Sequence, residues 1–414
     1  MSHYVRNLLV PPPWASKTPE KWYRQRQAHR RDPAVAPDVE VVAVPENLAA
    51  VWDTMKSTAG DGPGPDGVTF ANVGRGEKYA LLREVSRKLL AGTYRPGPSR
   101  TVKIPKASGG YRTLEVRNLV DRVVARALLE AVSPALEPVF LAGSHGFRPG
   151  RSRLTLLAEL ARQAQDGGYW VVAADDVRTA FDAVPVAAAL AVHRRHLASN
   201  SLLDTVGSVL RGDDPARAVG IAQGCPYSPL ALNLYLHHAH DEYAQTHAPG
   251  ADPGTPTSWY RYADNLVYLC RDVREGVEAL RRSTSWLGNA GLTLKGEPGV
   301  PVDLRQGGQV ELLGLSLFRS KNQLRCKPGS GAWSGLEEAL GRAVHPRPDP
   351  AVADLAIKGW IAAYGPALER CERTVERILD LAARYGFREL MPAETYRVEC
   401  GKAFQRWIES VHHG

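Results

Sequence analysis

Between Trp259 and Cys270 the chain reads WYRYADNLVYLC, two apolar, aromatic-rich runs around the polar centre Ala263-Asp264-Asn265. That pattern predicts a β-hairpin with Asp264 at its tip. About ninety residues earlier, GYWVVAADDV (168–177) reads as a buried strand running into Asp175 and Asp176. If the two elements lie side by side in one antiparallel sheet, their carboxylates meet at one edge. Such a pair can hold two divalent ions about 3.5–4 Å apart, which stabilise the attacking and leaving oxygens of a phosphoryl transfer. Spacing alone leaves a plainer reading open. An Asp-Asn turn is ordinary hairpin chemistry, and an Asp at a strand end often caps the next element. His237, His240 and Asp241 also have metal-ligand spacing on a helix, with simple packing as the competing reading.

The elements around these residues outline an α+β protein. TVKIPKASGGYRTLEV (101–116) alternates about a Gly-Gly turn and predicts a hairpin, and NLVDRVVARALLEAVSPALEPVF predicts an amphipathic helix. A helix is expected from Ser152, and a Gly/Pro loop opens a long helix in AQGCPYSPLALNLYLHHAHDEY (222–243). VELLGLSLF (310–318) reads as one strand, DPAVAPDVEVVAVP (32–45) as a Pro-rich connector, and 351–414 as helices with a Tyr/Trp-rich face.

Composition narrows the partners. With 414 residues, 44% hydrophobic and 23% charged, the chain suits two or three packed domains. No apolar run approaches a membrane span and the N-terminus lacks an apolar leader core, which predicts a cytoplasmic protein without a membrane partner. Five scattered cysteines without a CxxC pair argue against a disulfide framework or a zinc site. The formal charge is +8, a balance that favours a nucleic-acid partner. Basic residues concentrate in the first 31 positions, where Trp22 stands among Arg24, Arg26 and others. Cations reach phosphates and aromatic faces stack on bases, so this arm is a candidate nucleic-acid contact; a solvated helical arm is the alternative.

The order of the segments carries a resemblance. PGPDGVT (63–69), IPKASGGYRTLEVRNLVDRVV (104–124), GSHGFRPGRS (143–152), ADDVRTAFDAV (174–184), AQGCPYSPLALNLYLH and RYADNLVYLCR resemble, in order and spacing, the blocks of reverse transcriptases. The likeness is greatest to those of bacterial group II introns. KGWIAAYG (358–365) is similar to the thumb motif, more weakly. The resemblance implies a right-hand polymerase with an antiparallel palm sheet and an α-helical thumb. It divides the chain into a basic arm and linker (1–45), fingers (46–165), palm (166–330) and a helical thumb (331–414).

It also implies roles for particular residues. Asp176 and Asp264 are expected to ligate Mg²⁺, with Val177 in the same ligand set and Asn265 beside them; Asp175 is then only a neighbour. Phe181 is expected to exclude ribonucleotides by pressing on the sugar. Lys106 and Arg112 would grip the triphosphate of a dNTP, with Gln223 and Gly224 contacting the same nucleotide. Tyr262 is expected near the primer end. Arg148 would support the template, or else only the fold of its own loop.

Three departures qualify this. Asn265 stands where the family has a second Asp, Ala222 where it has Pro, and Lys295 comes earlier than the usual lysine. Asn keeps an oxygen ligand but removes a charge, so weaker Mg²⁺ binding and a shift towards Mn²⁺ are expected. No Cys/His cluster follows the thumb block, and the HNH endonuclease of many intron proteins is therefore expected to be absent. The reading is an RNA-directed DNA polymerase acting on an RNA template with a DNA or RNA primer, with a structured noncoding RNA as a further partner. A domesticated bacterial enzyme of antiphage defence or repair is the expected setting. The alternatives are an RNA-binding maturase or scaffold without polymerisation, and a template-independent or protein-primed DNA polymerase on the same fold.

Overall fold

The computed structural model describes residues 36–58, 62–105, 111–247, 258–296, 300–345 and 347–413. Lys106, Trp22, Arg24 and Arg26 lie outside them. The chain is an α+β fold whose centre is an antiparallel four-stranded sheet in the order β4-β5-β3-β6, from Trp259–Tyr262 (β4), Asn265–Cys270 (β5), Val171–Asp176 (β3) and Val302–Asp303 (β6).

Both faces of this sheet are covered, which is why its strands read as near-continuous apolar runs. Alternate side chains point to opposite faces. Val171, Ala173, Leu266 and Tyr268 enter one core with Leu280 and Leu287 of the helix Val273–Asn289 (α11). Val172, Tyr260, Val267 and Leu269 enter the other with Leu156, Leu157 and Leu160 of Arg153–Gly167 (α5). Each fully buried Val or Leu contributes about 1.5–3 kcal/mol. Helix α5 starts where expected: the Ser152 side chain accepts from the backbone N–H groups of Leu154 and Thr155 in a capping box.

Ahead of the sheet, Ser99–Pro105 (β1) and Tyr111–Arg117 (β2) pair as the expected hairpin. The helices Pro45–Thr58 (α2), Arg75–Leu90 (α3) and Leu119–Leu136 (α4) contribute to the first core. After the sheet, Gln309–Leu312 (β7), Leu315–Ser320 (β8) and Gln323–Pro328 (β9) form a meander. The helices Ser330–Val344, Pro350–Ala363, Glu372–Arg384 and Ala393–His413 then build a core of their own around Leu336, Ile357, Ile378 and Tyr396.

Two expectations are corrected. VELLGLSLF is not one strand but β7 and β8 joined by a tight turn, because Leu313 (φ 51°) and Gly314 (φ 79°) both take the left-handed conformation. The Pro-rich connector contains a short helix, Val39–Ala43 (α1), since Val39, Val42 and Ala43 are buried in the first core. All five cysteines are free.

Candidate active site

Strand β3 ends on Asp176 and β5 begins on Asn265, and these two residues are direct partners in the antiparallel register. Asn265 also closes the hairpin against Tyr262, leaving Ala263 and Asp264 as a two-residue turn. The Asp264 carbonyl accepts from Val177 N–H at 2.9 Å, which ties the hairpin tip to the end of β3. The two carboxylates expected at one sheet edge are therefore there. Lys295 Nζ stands 3.7 Å from Asp176 Oδ2, and its N–H donates to the Asp176 carbonyl at 2.7 Å.

Both carboxyls of this edge disfavour ionisation. Burial, then the charge of Asp264, raises the Asp176 carboxyl above its ordinary value, with Lys295 pulling the other way. Burial likewise raises Asp264. Two hard oxygen donors that disfavour their own ionisation at one edge fit a divalent cation, with Val177 able to add only a backbone carbonyl. The Asn265 amide donates to Asp264 Oδ1 at 3.3 Å and to Tyr262 O at 3.4 Å, so its side chain lies against the Asp264 carboxylate. Asp175 is occupied elsewhere: its Oδ1 accepts from the Asp176 and Gly296 N–H groups.

What holds the hairpin tip is a buried network that motif spacing does not expose. Arg261, fully buried, forks onto fully buried Asp241 through Nε–Oδ1 at 2.8 Å and Nη2–Oδ2 at 2.5 Å. Its Nη1 donates to the Ala263 carbonyl at 3.0 Å and to Asn233 Oδ1 at 2.8 Å, and Nη2 donates to Ser144 Oγ at 3.0 Å. Burial alone would push Asp241 up, but the Arg261 guanidinium outweighs it and holds the carboxyl well below the usual range. His240 bridges Asp241 Oδ1 at 2.9 Å to the Tyr268 hydroxyl at 2.6 Å. His240 and Asp241, whose spacing suggested a second metal site, are thus members of this structural network.

The network restrains a strained turn. Ala263 has φ 56°, a left-handed conformation that costs a non-glycine residue about 1–3 kcal/mol. Gly146 lies directly against it, with its carbonyl accepting from Asn233 Nδ2 at 2.6 Å. A Cβ on Gly146 would overlap the Ala263 nitrogen, with Ala263 Cα at 3.0 Å and Tyr262 C at 3.1 Å. Gly146→Ala is therefore expected to displace the turn and lower catalytic turnover about 100-fold, the scale of a 1 Å misplacement. Single-turnover kinetics alongside circular dichroism would check it; unchanged turnover would show the contact to be slack.

The remaining site residues fall beside this edge. Phe181 lies in the short helix Ala180–Ala183 (α6), half-buried against the first core, and its carbonyl accepts from Ile221 N–H at 2.8 Å. The Gln223 carbonyl accepts from Glu115 N–H of β2 at 2.8 Å. Gly224 (φ 103°) presses so closely that a Cβ would meet the Glu115 carbonyl at 2.9 Å. The loop after Ile221 thus joins α6 to β2, the strand on which the Arg112 backbone pairs with Ile104. Tyr262 packs partly buried on the second core. Arg148 donates to Glu137 Oε1 at 2.7 and 2.9 Å and to the carbonyls of Leu141 and Ser144. Contact with a template would require it to give these up, so the geometry supports the loop-bracing alternative.

Residues 104–297 match the sequence profile of the family described as reverse transcriptase (RNA-dependent DNA polymerase). Protein YkfC of Escherichia coli K12 is 29% identical over 280 residues, which cover 59% of this chain and 72% of that protein. The group II intron-encoded protein LtrA of Lactococcus lactis is 28% identical over 163 residues, 38% of this chain and 27% of that protein. The putative COX1/OXI3 intron 2 protein of Saccharomyces cerevisiae is 23% identical over 258 residues, 59% of this chain and 29% of that protein. The aligned part is thus under a third of either intron protein's length. Among the described residues no helix is long and apolar enough to cross a membrane.

Proposed function

Because the chain belongs to the reverse transcriptase family, in its group II intron-like branch, we propose that it copies an RNA template into DNA by two-metal nucleotidyl transfer. The observation that carries this reading is the register that seats Asp264 beside Asp176 with both carboxyls raised. Mg²⁺ or Mn²⁺ held by Asp176, Asp264 and the Val177 carbonyl would stabilise the attacking 3′-oxygen and the pyrophosphate oxygens. The residues of the chain do the rest. Phe181 bounds the sugar side of the nucleotide, the Gln223-Gly224 loop holds the base-paired end against β2, and Arg112 with Lys106 neutralises the triphosphate. Lys295 Nζ, 3.7 Å from Asp176 Oδ2, balances the charge of that carboxylate. The setting we propose is a domesticated bacterial enzyme of defence or repair, to which the changes at Asn265 and Ala222 point.

Two results test this reading. Given a primed RNA and a mixture of dNTPs and NTPs, the protein should make product complementary to the template and essentially free of ribonucleotides. Phe181→Ala should raise ribonucleotide incorporation about 100-fold if the ring excludes the 2′-hydroxyl, a difference of ~3 kcal/mol between substrates. Product made equally without template would instead favour a terminal transferase.

Asn265→Asp should lower the Mg²⁺ concentration for half-maximal extension severalfold, since a second carboxylate joins Asp264 at the turn. An unchanged Mg²⁺ titration would place Asn265 outside the ion's surroundings.

A further inference from the structure

The helix that follows the Gln223-Gly224 loop is interrupted. Ser228–Leu236 (α9) passes into a π-turn over His237–Asp241 before Glu242–His247 (α10) resumes. In the π-turn the Glu242 N–H donates to the His237 carbonyl, five residues back. An ordinary helix brings only residues three and four apart together. Here His238, at four residues, and His237, at five, both face one carboxylate. His238 Nδ1 lies 2.9 Å from Glu242 Oε2 and His237 Nε2 lies 3.6 Å from Glu242 Oε1. One donor atom from each of His237, His238 and Glu242 falls within 4.8 Å of the others. π-turns of this kind recur at functional sites.

We infer that His237, His238 and Glu242 form a binding site for a divalent transition-metal ion of the zinc class, separate from the carboxylate edge at Asp176 and Asp264. Two imidazole nitrogens and a carboxylate are the donors such ions select, whereas Mg²⁺ takes oxygen. Donors of a tetrahedral zinc site stand about 3.3 Å apart, close to the 2.9 and 3.6 Å at which the Glu242 oxygens already lie from the two imidazole nitrogens.

Two further features bear on the site. The His237 side chain is only 4% exposed, so packing fixes its ring beside Glu242, although Nδ1, which carries the proton when Nε2 ligates, is buried without the outer partner a ligating His ordinarily has. Finally, the far nitrogen of His238, Nε2, is 2.8 Å from Nε2 of His196, the rings stacking at 5.1 Å. A ligating His ordinarily passes its other ring N–H to such a partner, which fixes tautomer and orientation. One group opposes the ion: Arg195 Nη1 lies 3.3 Å from His238 Nδ1. Arg195 is exposed, so its side chain can swing into solvent when the nitrogen is taken.

The site has a structural consequence. The same π-turn carries His240 and Asp241, the anchor of Arg261 and of the catalytic turn. An ion on its outer face would hold that anchor in register, whether or not the carboxylate edge polymerises DNA.

The test is equilibrium dialysis of the full chain against Zn²⁺ with Mg²⁺ in large excess. Wild type should bind an ion that Glu242→Gln and His238→Gln each lose, the stoichiometry falling by one or the affinity at least tenfold. Asp264→Asn should retain it. Circular dichroism confirms that each variant is folded; Glu242 and Arg195 being exposed, Glu242→Gln is the safer of the two. Zn²⁺ stoichiometry unchanged in both variants, no Zn²⁺ bound by wild type, or loss of the ion in Asp264→Asn would overturn the site.

Discussion

Asp264→Asn is expected to reduce DNA synthesis by on the order of 10³-fold, the equivalent of the several kcal/mol that a bound cation supplies to developing charge. The substitution keeps size and shape, so the loss would be one of charge. Its effect on the metal-free protein should run the other way. Burial and, for Asp176, the neighbouring Asp264 charge raise both carboxyls in the folded chain. A group whose folded-state value exceeds its unfolded one gives stability at low pH that is lost as pH rises through the folded value. Near neutrality both carboxylates therefore weaken the fold, and removing one relieves the other. Thermal unfolding without metal should show Asp264→Asn at least as stable as wild type, and should show that it no longer gains from added Mg²⁺. A variant markedly less stable without metal would mean that Asp264 serves the turn rather than an ion.

Asp241→Ala should be the most destabilising single change near the site, by about 3–5 kcal/mol, the cost of leaving one member of a buried ion pair alone. Arg261 would keep Asn233, Ser144 and the Ala263 carbonyl but lose the charge that compensates it. The hairpin tip would loosen as well, because the same guanidinium holds the Ala263 carbonyl against a left-handed backbone. Urea unfolding with a two-state fit measures the first effect, and hydrogen exchange at β4 and β5 the second. A change below about 1 kcal/mol would place the energy of the network outside the Arg261–Asp241 pair.

The central sheet and the placing of its carboxylates were legible in the sequence because near-continuous apolar runs with turn residues between them are local signals. VVAADD ends its burial where the acids begin, and ADN marks its own turn. The fingers hairpin and the Ser152 helix start were legible for the same reason. The joint between β7 and β8 was not, since Leu313-Gly314 offers one glycine inside an apolar run where two left-handed residues are needed. Nor was helix α1, whose three buried residues acquire a helical reason only when the core is present to receive them. The Arg261 network was the largest omission. An arginine in an apolar strand makes sense only beside its partner, and Asp241 lies 20 residues away on another element. The spacing of His237, His240 and Asp241 did signal something. It pointed to one chemistry where the π-turn separates the residues: Asp241 faces Arg261, His240 bridges Asp241 and Tyr268, and His237 lies beside Glu242.

That Asp176 and Asp264 together serve template-directed DNA synthesis is tested by extension of a primer on a defined RNA template with dNTPs, titrated with Mg²⁺ and with Mn²⁺. Wild type should extend the primer with template-complementary DNA in a metal-dependent way, and Asp176→Asn should be as inactive as Asp264→Asn. Tight RNA binding without incorporation under either ion, or equal extension by wild type and Asp176→Asn, would contradict it.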